Sequence, residues 1–352
     1  MSEEGSVGGV SRSLAAEQAA RPSGEQWTIT SGDHEAVVVE VGGGLRTYRV
    51  AGADVVDGFA ESEICPASAG QILAPWPNRI RDGRYVFAGE SRQLTLTEPA
   101  KHNAIHGLVN WSRWRPAKSA AVGPAGQEGM AEQEGVDMLS LEYDLPPQPG
   151  YPWALSLRTT WSVGPAGLRA DHAVTNHAAT PCPFGFSAHP YLLVRGVAIE
   201  ELFVQLPARS RLLVDGRLLP IGAARVAGGE FDFTEPRRIG AAVLDTAFGD
   251  LIRDPDGGSA VTLSTSDGRG VKLWADAAFG WWQLFTSDTL PGERFRRSVG
   301  VEPMTCPPDA FRSGRDLIVL EPGQTWRGAW GITQISPSSP APSSPAPSSS
   351  SI

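Results

Sequence analysis

Two segments each place one proton-transferring side chain among apolar and Pro/Gly neighbours: Phe186-Ser187-Ala188-His189-Pro190-Tyr191 and Val299-Gly300-Val301-Glu302-Pro303-Met304. An imidazole and a carboxylate facing each other across a pocket form an acid/base pair, which suits chemistry that shuttles protons without metal or cofactor. Two further stretches, Pro75-Trp76-Pro77-Asn78-Arg79-Ile80 and His102-Asn103-Ala104-Ile105-His106-Gly107, add a guanidinium and two imidazoles. Taken singly, each residue has an ordinary explanation. Glu302 reads as a strand-end glutamate, His189 as a satisfied core histidine and Arg79 as half of a structural salt bridge. His106 before Gly107 marks a turn, and Asp245 a hairpin or cap. His34, His172 and His177 belong to no motif and read as structural. Glu98 lies near these motifs in sequence only.

The elements that must position these groups have a period of two. Trp153, Leu155, Leu157, Thr159, Trp161 and Val163 alternate with Ala154, Ser156, Arg158, Thr160 and Ser162, the pattern of a half-buried strand. Val37, Val39 and Val41 repeat it. Turns at Ala88-Gly89, at Asp267–Gly270 and at Pro322-Gly323-Gln324 each separate two such runs and favour hairpins. No long amphipathic helical pattern is present, and 40 glycines with 29 prolines suit many short strands and turns. The fold class expected is all-β, a large antiparallel β-sandwich.

Composition narrows the partners. The chain has 352 residues, 41% of them hydrophobic, so a sizeable core is within reach. A net charge of −9 with no basic cluster argues against a nucleic-acid partner. The cysteines, Cys65, Cys182 and Cys306, have no metal-ligand spacing and fit free thiols in a reducing cytoplasm. No basic start followed by an apolar stretch reads as a signal peptide, and no apolar run is long enough to span a bilayer. A cytoplasmic protein, off the membrane, monomeric or homodimeric, is expected. Residues 1–25 read as a disordered segment, with Ser13–Ala20 the stretch compatible with a short helix. Residues 26–335 read as one domain, carrying a surface loop at Val122–Val136. Residues 336–352 are a Ser/Pro/Ala repeat that cannot bury a core and read as a flexible tail.

From Gln71 to Trp114 the chain reads QILAPWPNRIRDGRYVFAGESRQLTLTEPAKHNAIHGLVNWSRW. This resembles the aldose 1-epimerase (galactose mutarotase) family: an Asn-Arg-Ile element, a Gly-containing hairpin, then His-Gly. Ser187–Leu192, Leu244–Phe248 and Val301-Glu302-Pro303 resemble three more family elements in the expected order. The resemblance spans about residues 35–335 and implies the galactose mutarotase sandwich. It also implies interconversion of the α and β anomers of a free sugar. By that resemblance Glu302 is the general base and His189 the general acid. Arg79, His106 and Asp245 hold the sugar, with His106 preferred to His102 because the His-Gly spacing fits. Trp76, Trp281 and Trp282 are candidates to stack on the sugar. No cofactor or metal is implied. The elements Pro-Trp-Pro-Asn-Arg-Ile and Glu-Pro-Met-Thr-Cys-Pro-Pro-Asp-Ala-Phe point to a divergent bacterial branch. His189-Pro190-Tyr191-Leu192 also departs from the His-Thr-Tyr-Phe of the best-known members, which leaves the identity of the sugar open.

Three other readings compete. A hexose-6-phosphate mutarotase would need basic groups around a phosphate, for which Arg81 and Arg84 are candidates. A non-catalytic carbohydrate-binding or regulatory sandwich would keep Arg79 and Asp245 without requiring both His189 and Glu302. A glycoside hydrolase would use two carboxylates about the scissile bond, whereas here Glu302 is partnered by a histidine.

Overall fold

The computed structural model describes residues 21–118 and 135–337. The N-terminal stretch to residue 20, nearly all of the 122–136 loop and the tail beyond residue 337 lie outside the described residues. Within them the chain is almost entirely β, with one four-residue α-helix, Ala310–Ser313.

Two large sheets make the body. The nine-stranded sheet runs in the order Arg115–Pro116, Asp137–Leu145, Leu155–Gly164, Gly167–Asn176, Thr325–Ile335, Gly270–Ala275, Ser259–Ser264, Phe203–Gln205 and Arg237–Arg238. The second runs Pro220–Arg225, Ala208–Val214, Asp245–Leu251, Trp281–Phe285, Val299–Met304, Ser187–Ala188 and Ile72–Leu73, with Tyr191–Leu192 also paired to Val299–Met304. Neighbours in both are antiparallel. A four-stranded sheet from Gln26 to Asp54 completes the body. The expected all-β antiparallel sandwich is the observed fold.

The alternation in Trp153–Val163 has the meaning expected of it. Leu155, Leu157 and Trp161 are buried, while Ser156, Arg158 and Ser162 are partly open. Bulky aromatic side chains fill the space between the sheets. Trp282 donates its indole N–H to Ser259 Oγ at 3.0 Å, tying the second sheet to the first across the core. Phe186 packs on Trp326 with ring centroids 4.9 Å apart. Each such side chain contributes about 1.5–3 kcal/mol by leaving water, the aromatic ones at the upper end. Together they make a floor stiff enough to hold polar groups in place.

Two of the three expected hairpins form: Arg84–Phe87 pairs Glu90–Gln93, and Ser259–Ser264 pairs Gly270–Ala275. The third does not. Ile318–Leu320 pairs with Cys182–Phe184, while Thr325–Ile335 enters the nine-stranded sheet. The Pro322-Gly323 turn therefore changes sheets rather than closing a hairpin. All three cysteines are free and buried. No helix among the described residues is long and apolar enough to cross a membrane.

Candidate active site

The candidate site has a sheet half and a loop half. On the sheet half, Gln283 stands opposite Glu302, and Ala247 stands opposite Gln283. Side chains alternate along a strand, so Asp245, two residues before Ala247, shares that face. Asp245, Gln283 and Glu302 thus share one face of three adjacent strands, with Asp245 diagonal to Gln283. Gln283 Nε2 donates to Asp245 Oδ1 at 2.5 Å. Glycine at 300 is explained by the same face. A Cβ there would lie 3.3 Å from Phe285 Cβ, 3.5 Å from Tyr191 and 3.6 Å from His189 Cε1, closer than is comfortable on the first count.

The loop half brings the imidazoles and the guanidinium over that face. His189 is pinned through its backbone, its N–H donating to Gln71 O at 3.1 Å and its carbonyl accepting from Gly70 N at 2.8 Å. Its ring stacks on Tyr191 with centroids 4.9 Å apart, and Tyr191 donates its hydroxyl to Ala67 O. His189 Nε2 then lies 3.3 Å from Glu302 Oε1, with the residues only 5% and 2% exposed. The short strands Arg79–Arg81 and Asn103–Ile105 pair with each other, which carries Arg79 and His106 to the same place. Asn78 and His106 both adopt left-handed backbone, and His106 N donates to Asn78 O at 2.9 Å. The His-Gly pair has a steric cause: a Cβ at Gly107 would lie 2.0 Å from Ala74 O. The His106 ring meets that of His189 edge to face at 5.4 Å.

The five residues singled out in the sequence therefore lie within one arrangement. Asp245 is hydrogen-bonded to Gln283, which stands opposite Glu302, His189 and His106 are in ring contact, and Arg79 enters on the strand paired with the one that leads into the His106 turn. His102 does not join them; it is exposed and meets Asp82. Two expectations fail. None of Trp76, Trp281 and Trp282 presents an open face: each is at most 2% exposed. Trp281 is instead covered by the guanidinium of Arg315 at 4.5 Å, and the half-buried ring near the acid/base pair is Phe285. Glu98 is not a bystander. It takes both Nε and Nη2 of Arg79, at 2.9 and 3.0 Å, so the salt bridge expected for Arg79 exists and involves a residue read as unrelated to the site. Gln283 was also missed, because Trp281–Phe285 reads as an apolar strand apart from its single amide.

Electrostatics follow from the lack of water. Burial, reinforced by Asp245 and opposed by Arg79, pushes the Glu302 carboxyl well above the usual carboxylate range. Burial pushes His189 down to about 4, with the Arg79 charge adding to the effect. His106 is also driven well down, by burial first and then by His189 and Arg79. Asp245 is raised by burial against the pull of Arg79 and the Gln283 hydrogen bond. A dry pocket disfavours both ions of a pair. The surroundings of His189 and Glu302 accordingly favour the neutral form of each. Glu302 Oε2 and the Nδ1 atoms of His189 and His106 are buried with no protein partner, so unspent hydrogen-bonding capacity is concentrated here. Among the described residues, no three His, Cys, Asp or Glu side chains group as a metal site requires.

Comparison with known proteins agrees with this architecture. Residues 25–333 match the family model described as aldose 1-epimerase. The chain is 31% identical over 313 residues to YihR, an uncharacterized protein of Escherichia coli K12, covering 87% of this chain and 92% of that one. A galactose mutarotase-like protein from Clostridium acetobutylicum superposes with a TM-score of 0.75 at 16% identity, covering 88% of this chain and 94% of that one. The galactose 1-epimerase of Lactobacillus acidophilus gives 0.69 at 19% identity, covering 88% and 94%. At those identities the two structures speak for the fold alone. The matched span takes in all five candidate residues, and on that match the chain belongs to the aldose 1-epimerase family.

Proposed function

We propose that this protein is an aldose 1-epimerase that interconverts the α and β anomers of a free aldose, with Glu302 as general base and His189 as general acid. The observation that carries the reading is the buried 3.3 Å approach of His189 Nε2 to Glu302 Oε1. The anomeric hydroxyl and the ring oxygen of a cyclic sugar are bonded to the same carbon. Opening the ring therefore needs a base and an acid only a few ångströms apart.

The steps balance. Glu302 takes the proton of the C1 hydroxyl, the C1–ring oxygen bond breaks as the C1 carbonyl forms, and His189 Nε2–H protonates the departing ring oxygen. Rotation about C1–C2 turns the other carbonyl face to the hydroxyl, and reclosure reverses both transfers. The reacting tautomer is carboxylate and imidazolium, whereas the dry site favours the neutral pair. Ring opening thus discharges the pair, while sugar hydroxyls bonded to Glu302 stabilise the carboxylate beforehand. Positioned proton transfer is worth about 10²–10⁴-fold in rate. Arg79, His106 and Asp245 hold the sugar oxygens, and the hydrogen bond from Gln283 fixes the direction of Asp245.

A free sugar is favoured over a phosphorylated one. Arg81 faces Asp215 at 3.7 Å and Asp309 at 3.9 Å, and Arg84 donates to Gln93 at 2.6 Å, so both phosphate candidates are engaged. The joint burial of an acid and a base, which recognition alone does not require, weighs against a binding protein. The test is polarimetric: decay of optical rotation in fresh α-D-glucose and α-D-galactose, with wild type and His189→Asn. Acceleration by wild type that His189→Asn loses is the expected result. No acceleration of either sugar, or equal acceleration by both proteins, overturns the assignment.

A further inference from the structure

One arginine on the turn of a distant hairpin is bonded to three consecutive residues beside the site. Arg217 lies between Ala208–Val214 and Pro220–Arg225, in a turn closed by Asp215, which accepts from the N–H groups of Arg217 and Leu219. Its guanidinium donates to Lys101 O at 2.9 Å, to His102 O at 2.7 Å and to Asn103 Oδ1 at 3.1 Å, and also to Asp82 at 2.8 Å. Asn103 answers by donating to Arg217 O at 3.2 Å. The same Asn103 amide also donates to Glu98 Oε2 at 2.9 Å, and Glu98 grips Arg79 through two parallel bonds. We propose that Arg217, Asn103 and Glu98 form a brace that orients Arg79, with Arg217 the positioning residue at its outer end; this rests on the reading of Arg79 as a sugar ligand.

Geometry says what the brace does. A guanidinium has two donor edges, one from Nε and Nη2 and one from the two terminal nitrogens. Glu98 occupies the first, so the terminal edge, where Nη1 also makes a long 3.4 Å contact to Asn78 Oδ1, is the one left to face the sugar. A carboxylate on a free loop would not hold that orientation. This one is the residue before the short 3-10 turn Pro99–Lys101, which ends in left-handed backbone at His102. The two residues after that turn's last position, with Lys101 itself, are the ones Arg217 binds. The hairpin turn thus locks the loop, the loop aims Glu98, and Glu98 aims Arg79. The lysine within the turn, Lys101, adds a weaker contact to Glu98 at 3.7 Å.

The test is a double-mutant cycle on kcat/KM for sugar mutarotation, with Arg217→Ala and Arg79→Gln singly and together. Arg217→Lys serves as the conservative variant, and thermal unfolding checks each fold. Expected is a loss of about 3- to 30-fold for Arg217→Ala, carried by KM rather than kcat, partly recovered in Arg217→Lys and absent when Arg79 is already Gln. A readout independent of activity is solvent exchange of the Arg79 Nε–H by NMR, slow in wild type and faster in Arg217→Ala. An Arg217→Ala loss of equal size in both backgrounds overturns the brace, as does unchanged Nε–H exchange. If wild type accelerates no sugar, the proposed function falls, and the exchange measurement alone decides whether the brace exists.

Discussion

Replacing Glu302 by Gln should move activity and stability in opposite directions. The amide keeps the shape of the side chain and removes its charge and its basicity. Activity loses the base, worth about 10²–10⁴-fold, or roughly 3–5 kcal/mol of barrier. Stability has the other sign. Glu302 is 2% exposed, its Oε2 has no hydrogen-bond partner, and burial raises its folded-state pKa. Below the usual carboxylate range the group is neutral whether the chain is folded or not, and it carries no penalty. As pH rises past that range the unfolded chain ionises first, and wild type loses stability until the folded value is reached. Glu302→Gln lacks this term, so its Tm should equal that of wild type at low pH and exceed it increasingly toward neutrality. Each kcal/mol corresponds to about 2–4 °C at most in a body of this size. Polarimetry and a Tm series from pH 4 to 8 measure both effects. A mutant rate within about threefold of wild type, less than about 1 kcal/mol of barrier, would refute the base. A mutant Tm that falls below wild type as pH rises would refute the burial argument.

Three further outcomes are expected. Because the active pair carries one proton, the rate should hold on the acid side down to the region of His189, pushed to about 4, and fall on the alkaline side at the raised value of Glu302; an acid limb near the ordinary imidazole value of about 6.5 would contradict this. Gly300→Ala inserts a methyl group between Phe285, Tyr191 and His189, and a shift of a few tenths of an ångström in the imidazole should lower kcat about 3- to 10-fold with little change in denaturation midpoint; an unchanged kcat would show that the ring tolerates the push. Arg296→Met strips Asp288, Glu200 and the carbonyls of Gly240 and Ala242 of their donor, and should cost about 2–4 kcal/mol in denaturant unfolding, discounted for the exposure of Glu200; a loss under about 1 kcal/mol would mark the network as ornamental.

What was legible in the sequence divides along a physical line. Strand alternation is local, so Leu155–Gly164 and the Asp267–Gly270 hairpin could be read directly. His189 and Glu302 stood out because charge-bearing groups in apolar surroundings are costly without a reason. Whatever depends on contacts between distant segments was hidden. Glu98 is 19 positions from Arg79, and Arg217 is 114 from Asn103, with no pattern linking either pair. Tryptophan misled for a related reason. A large ring is equally good at filling a core and at stacking on a sugar, and only the packed structure distinguishes these uses. Trp76, Trp281 and Trp282 all went to the core. The turn at Pro322-Gly323 was read correctly as a turn, but which strands it serves is decided by pairing elsewhere.

The three adjacent strands that carry Asp245, Gln283 and Glu302 act as a ruler. Adjacent strands in a sheet lie about 4.7–4.9 Å apart, a spacing set by backbone hydrogen bonds and not by the side chains carried. The lateral positions of these three polar groups are thus graduated by the peptide backbone, and no repacking of nearby residues can alter the interval without breaking the ladder. Arg79, His106 and His189, by contrast, ride on short strands and turns whose reach depends on loop length and on left-handed residues. A lineage adapting this scaffold to a differently shaped sugar would therefore keep the ruler and redraw the loops.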